Sequence, residues 1–299
     1  MEAVHDIEML RGTLERNASL ARFTSWKVGG VADLLYRPAD VQDLRNFLAG
    51  QAQDMPLTWL GGGTNVLVRD GGVRGTVILL HGCLGGLEIA GPGMVRAEAG
   101  AACAKLARFC ADQELQGSEF LVGIPGTVGG ALAMNSGAYG HATWEFVSHA
   151  QTVDRRGELR TRPCDDFRPG YRTVQVPRDE WFVGAVFRFV PGDASQARAV
   201  IRSLLERRNA DQPLGNQSCG SVFRNPEQDH AARLIESSGL KGTCIGGAQV
   251  SEKHANFIIN LGHATAGDIE ELIWKVHATV ETKQGVTLVP EVRILGEVQ

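Results

Sequence analysis

Apolar positions recur in short blocks whose period switches between helical and strand spacing. Behind Asp40, the residues Val41, Leu44, Phe47 and Leu48 share one helical face, with Asp40 as the cap and Gly50 as the stop. The run 57–60 predicts a strand leading into Gly61-Gly62-Gly63, and 76–80 predicts another. Leu106, Phe109 and Cys110 give helical spacing to 102–114. A strand over 181–190 ends at Pro191-Gly192-Asp193-Ala194-Ser195, the clearest linker signal in the chain. Beyond it come a helix over 196–208, a loop through Asn225, a helix starting near Asp229 and a strand over 257–260. The longest predicted helix runs from Thr265 to Gln284: Thr265 and Asp268 form a capping pair, and Gly285 ends it. Residues 286–295 then return as a strand. Strands and helices alternate without an internal repeat, and the pattern predicts two domains, 1–192 and 193–299.

Composition narrows the function class. With 43% apolar and 21% charged residues, the 299-residue chain is expected to fold around a sizeable core. A formal charge of −4 leaves no electrostatic footprint for nucleic acid. The start, Met1 to Asp6, is acidic and lacks the design of a secretory signal, and no apolar run reaches membrane-spanning length. Six cysteines without a Cys-x-x-Cys pair read as reduced thiols, so neither a disulfide frame nor a metal site is expected. The expected setting is cytoplasmic, without membrane insertion and with no obligate protein partner evident.

Glycine is the unusual component: 19 of the 37 lie between Gly61 and Gly140. Gly61-Gly62-Gly63-Thr64-Asn65 follows a predicted strand, where bare main chain can turn amides onto an anion; an ordinary tight turn explains it equally well. The second cluster, Gly123-Ile124-Pro125-Gly126-Thr127-Val128-Gly129-Gly130, can lie flat against a large planar or diphosphate-bearing ligand, or can pack a helix start against a sheet. Two such loops favour a dinucleotide. Gly-x-Gly-x-x-Gly and Gly-Lys are both missing, which argues against a Rossmann site and a P-loop.

Three places can carry chemistry. Arg172, after Tyr171 in a turn-prone segment, can fork onto a carboxylate or stack on its neighbour. Ser221 follows a glycine hinge in Cys219-Gly220-Ser221-Val222-Phe223-Arg224-Asn225-Pro226, outside any Gly-x-Ser-x-Gly elbow, and reads equally as a turn serine. Glu291, after Pro290, interrupts an apolar strand and can be an ion-pair partner of Arg293 or a carboxylate of perturbed pKa.

In order and spacing, six blocks resemble the UDP-N-acetylenolpyruvoylglucosamine reductase family: Asn17 to Gly30, Gly61 to Leu67, Gly123 to Gly130, Tyr171-Arg172, Gly220 to Pro226, and Pro290 to Arg293. The resemblance implies an α+β fold. A two-lobed FAD-binding domain of the vanillyl-alcohol-oxidase and para-cresol-methylhydroxylase type, split near residue 60, would precede a smaller α+β substrate-binding domain. FAD would be held non-covalently through Gly61, Gly62, Gly63, Thr64, Asn65, Gly123, Ile124, Gly126, Gly129 and Gly130. NADPH would be co-substrate, and UDP-N-acetylglucosamine-enolpyruvate would be reduced to UDP-N-acetylmuramate for peptidoglycan synthesis. In this picture reduced flavin gives hydride to the terminal carbon of the enolpyruvyl double bond. Arg172 and Glu291 (a protonated or hydrogen-bonded acid) stabilise the enolate-like state, and Ser221 supplies the proton. Tyr171 and Asn225 would contact substrate. The chain looks like the shorter of the family's two forms.

Arg224 departs from the lysine often found at its position, and the sequence leaves Cys219 undecided between a buried and a reactive thiol. Two rivals stand beside this reading: a flavin-dependent oxidase on the same scaffold, and a silent flavin or sugar-nucleotide binding module. Oxidases of that type often tether FAD through a histidine, and the glycine loops contain none.

Overall fold

In the computed structural model, which describes residues 10–299, Asp40 caps helix α1 (Val41–Ala49) by accepting the Asp43 N–H at 2.8 Å. The acidic opening Met1 to Asp6 lies outside the described residues. The chain packs as two units. One comprises the stretch ending at Glu15, Leu34–Gly62 and Gly75–Arg207; the other comprises Arg16–Asp33, Gly63–Arg74 and Arg208–Gln299.

This division departs from a boundary at residue 192, for a local reason. Pro191 pairs with Leu115, the Gly192 N–H donates to Glu114 O at 2.8 Å, and Asp193 Oδ1 accepts the Gln196 N–H at 2.7 Å. The residues that resemble a linker therefore form an edge bridge, through Pro191 and Gly192, and a cap, through Asp193. They start helix α4 (Ala194–Asp211), which stays with the first unit through Arg207.

The first unit contains an antiparallel five-stranded sheet in the order Leu159–Pro163, Val147–Asp154, Glu180–Arg188, Met94–Glu98, Leu87–Gly91. Its middle strand is buried without interruption from Phe182 to Phe187 because both faces are covered. Phe182, Ala185 and Phe187 enter one core with helices α2 (Cys103–Asp112) and α3 (Val128–Met134). Val183 enters another with Tyr36, Phe47 and Ile78. A register shift opposite Val183 explains why Phe182 and Ala185 share a core despite unequal parity. The strand Leu57–Leu60 lies parallel to residues 76–79 and feeds the Gly61 turn.

The second unit packs helices α5 (Ala231–Ser237) and α6 (Ala266–Gln284) with an antiparallel sheet of Cys244–Ile245, Ala248–Val250 and Ile258–Asn260. Helix α6 has the expected capping box at Thr265 and Asp268 and a left-handed Gly285 stop. Asp70 adds a second cap, accepting from the Ala266 and Gly267 N–H groups. Trp26 is wholly buried, and its Nε1–H donates to Ile258 O at 2.7 Å. The expected strand over 286–295 shortens to Arg293–Leu295, parallel to Val66–Val68. Among the described residues, no helix is long and apolar enough to cross a membrane, and no group of three or more His, Cys, Asp or Glu side chains is placed to hold a metal ion.

Candidate active site

Two glycine loops about 65 positions apart in sequence meet in the first unit. A Cβ on Gly61 would lie 2.5 Å from Thr127 Oγ1 and 3.9 Å from Gly130 N. Only main chain fits at Gly61. Thr127 caps α3 in the extended region, its hydroxyl accepting from Gly130 N.

The glycines of the second block divide by role. The Val128 and Gly129 N–H groups donate to Ala101 O and Ala99 O, each at 2.8 Å, and a Gly129 Cβ would meet Ala99 Cβ at 2.9 Å. Gly129 therefore serves close helix packing, the plainer of its two sequence readings. Gly123 is required by Tyr139 and Ala138, 2.5 and 2.7 Å from a Cβ there. Ile124 is buried in the core, and Gly126 is left-handed at φ +99°. Gly130 differs: it is exposed, and a Cβ would meet only Thr127 Oγ1 at 3.8 Å. The side on which its Cβ would stand is otherwise open.

Gly62 stays with the first unit, and from Gly63 on the first glycine block belongs to the second unit. Gly63 is left-handed at φ +60°, and a Cβ there would sit 1.9 Å from Phe23 O. Gly63 O accepts the Ser25 N–H at 2.9 Å, so a trans peptide turns the Thr64 N–H away from Ser25. Asn65 has a different occupation: its Nδ2 donates to Glu291 O at 3.1 Å, and its own carbonyl accepts from Arg293 N at 3.0 Å.

Arg172 belongs to the first unit, in the two-residue turn between strands Arg168–Gly170 and Thr173–Gln175. It is left-handed at φ +55°, a conformation that costs a non-glycine residue about 1 kcal/mol or more and needs support. The guanidinium supplies part of that support. Its NH2 donates to Gly137 O at 2.9 Å, and the group stands 5.3 Å from the centroid of the exposed Tyr171 ring. Stacking on Tyr171 thus coexists with anchoring to the Gly137 loop. Asn135, left-handed at the end of α3, binds the same hairpin through Nδ2 to Gly170 O at 3.0 Å and accepts the Trp144 N–H on Oδ1.

Ser221 and Glu291 belong to the second unit, 70 positions apart in sequence, and the fold joins their segments. The Glu291 N–H donates to Val222 O at 2.7 Å, Phe223 bridges to Pro290, and the Arg224 N–H donates to Val289 O at 2.9 Å. Glu291 precedes the strand instead of interrupting it, because Pro290 and Val292 are held by the Ser221 loop. Gly220 is left-handed at φ +75° with open space beside it, leaving room next to the half-buried Ser221. Asn225 caps α5, its Oδ1 accepting the Ala231 N–H at 3.1 Å, which accounts for it as a loop-holding residue.

Cys219 is buried, and burial pushes its thiol up to about 12, which favours the buried of its two readings over the reactive one. The sequence reading overlooked Asn256. It is 3% exposed and spans the Phe223 peptide, with Oδ1 accepting the Phe223 N–H at 3.0 Å and Nδ2 donating to Phe223 O at 2.8 Å. Its signal was a lone amide in the apolar run Ala255-Asn256-Phe257-Ile258-Ile259.

Comparison with known proteins gives consistent matches. The family described as UDP-N-acetylenolpyruvoylglucosamine reductase, C-terminal domain, matches residues 212–295, and an FAD binding domain matches residues 32–162. The UDP-N-acetylenolpyruvoylglucosamine reductase of Alkalilimnicola ehrlichii is 57% identical over 288 residues, covering 96% of each chain. That of Methylococcus capsulatus is 55% identical over 289 residues, covering 97% of this chain and 95% of the relative. The crystal structure of the reductase from Thermus caldophilus has a TM-score of 0.82 at 27% identity, covering 96% of this chain and all of that one.

Proposed function

Because the chain belongs to the UDP-N-acetylenolpyruvoylglucosamine reductase family and carries its FAD-binding domain, it is an FAD-dependent oxidoreductase of peptidoglycan synthesis, and we propose that it uses NADPH to convert UDP-N-acetylglucosamine-enolpyruvate to UDP-N-acetylmuramate. The reading places this reaction in the cytoplasm, where both soluble substrates would be drawn from solution. The observation that carries it is the union of the Ser221 and Glu291 segments through Glu291 N–H to Val222 O at 2.7 Å.

The bare main chain at Gly61 and Gly130 would hold the FAD diphosphate, with Gly126 shaping the turn between them. Bound FAD supplies the hydride that NADPH provides and the enolpyruvyl carbon receives. Arg172, fixed by Gly137 O and by stacking on Tyr171, would meet the substrate carboxylate as negative charge spreads into it. Glu291 would donate a hydrogen bond to the same charge, a role that requires its proton. Ser221 would protonate the carbon next to the carboxylate, the open side of its loop admitting the substrate. Positioned proton transfer of this kind is worth about 10²–10⁴-fold.

The purified protein should be yellow, release FAD on denaturation, and consume NADPH only when the enolpyruvyl sugar nucleotide is present. A colourless protein, or NADPH consumption indifferent to that substrate, would count against the reading.

A further inference from the structure

Resting on the reading of Ser221 as proton donor, the structure assigns Asn256 as a positioning residue that sets the Ser221 loop against the Glu291 segment. Three hydrogen bonds tie Asn256 to the main chain of two successive residues of that loop. Its backbone oxygen accepts the Val222 N–H at 2.9 Å, Oδ1 accepts the Phe223 N–H at 3.0 Å, and Nδ2 donates to Phe223 O at 2.8 Å. The side-chain amide thus does for Phe223 what a neighbouring strand would do, pairing both its donor and its acceptor.

The Val222 carbonyl is left to face the other way, where it accepts from Glu291 N at 2.7 Å and Val292 N at 3.4 Å. Asn65 completes the arrangement through Nδ2 to Glu291 O at 3.1 Å. The backbone one residue after Ser221 is therefore held between a buried amide and the Glu291 main chain. Val222, Phe223 and Asn256 are all essentially inaccessible to water, so a bond lost here is not replaced by solvent. A serine that must deliver a proton to one carbon tolerates little displacement, and a misplacement of about 1 Å can cost about 10²-fold in rate.

Asn256→Asp is the informative substitution. It keeps the shape and the acceptor for Phe223 N–H, but an ionised carboxylate cannot donate to Phe223 O and would repel it. Once protonated, the acid regains a donor, and burial raises the pH at which this happens. The flavin-loaded enzyme is reduced with NADPH, then mixed anaerobically with UDP-N-acetylglucosamine-enolpyruvate, and both half-reactions are followed by flavin absorbance across a pH series.

Asn256→Asp should keep its FAD content and its rate of reduction by NADPH, and reoxidise about 10²-fold more slowly than wild type near pH 8. The deficit, taken as a ratio to wild type at each pH, should shrink as pH falls. Asn256→Val should show the deficit at every pH. Wild-type reoxidation in both variants would overturn the assignment, as would a deficit shared equally by the two half-reactions. Loss of FAD binding or of folding in both would also overturn it, by making Asn256 a folding residue. Ser221→Ala run alongside separates the two readings. If it reoxidises normally, Ser221 is not the proton donor, whereas a slow Ser221→Ala beside normal Asn256 variants removes only Asn256.

Discussion

Adjacent glycines at the start of α3 should respond to alanine with opposite signs. Gly130→Ala places a methyl 3.8 Å from Thr127 Oγ1, an ordinary contact, on an exposed position of a helix. Removing glycine's backbone freedom there should stabilise the apoprotein by about 0.5–1 kcal/mol, or roughly 1–3 °C for a chain of this size. The same methyl would stand on the bare main chain expected to receive the FAD diphosphate. A weakening of FAD affinity of about tenfold, roughly 1.4 kcal/mol, should follow. Gly129→Ala instead drives a methyl to 2.9 Å from Ala99 Cβ and 3.1 Å from Ala99 O, costing about 1–3 kcal/mol of stability. Thermal unfolding of flavin-free protein and FAD titration by fluorescence quenching read the two effects separately. Unchanged FAD affinity in Gly130→Ala would refute the placement of the cofactor there.

Other consequences follow from the same geometry. Gly63→Ala combines a left-handed φ with a methyl 1.9 Å from Phe23 O and endangers the Ser25 N–H to Gly63 O bond; urea unfolding should show a loss of about 3 kcal/mol or more. Cys219, with its thiol pushed up to about 12, should resist alkylation by iodoacetamide in native protein at pH 8 and react after unfolding, whereas the exposed Cys244 should react in the native state. Arg69 hydrogen bonds to Glu270 through two nitrogens, at 2.8 and 2.7 Å, and holds that carboxyl below its ordinary value. The pair's contribution is present above the unfolded carboxylate range, near 4.5, and is lost as pH falls through the lower native value; Arg69→Met should flatten that acid-side loss in a stability–pH profile.

Elements whose instructions are local were legible in the sequence. Asp40 and Thr265 cap helices by bonding residues three positions ahead, and the pattern of buried residues on α1 and α6 follows 3.6-residue spacing. Helix α3 was legible only as one of two readings of its glycine block because two of its first three residues are glycine, and its first turn is held by Thr127 and by Ala99 and Ala101 across the unit's own core. The apolar run 286–292 misled in the other direction. Its alternation suggests a strand, yet its partner is the irregular Ser221 loop, which takes only isolated bonds before Arg293–Leu295 finds Val66–Val68.

At the site, residue types alone left Arg172, Ser221 and Glu291 level with ordinary turn and strand residues, and the resemblance of ordered blocks singled them out. What neither pattern nor resemblance exposed was the supporting work. Asn65, expected at the cofactor, holds Glu291, and Asn256 holds the Ser221 loop. Both act across dozens to hundreds of positions on main-chain atoms, which carry no side-chain identity for a sequence to display.

Anaerobic stopped-flow on Ser221→Ala addresses the proposed chemistry most directly. The bound flavin should bleach with NADPH at the wild-type rate and recover its colour on adding the enolpyruvyl sugar nucleotide about 10²–10⁴-fold more slowly. Recovery at the wild-type rate, or bleaching slowed as much as recovery, would contradict the account.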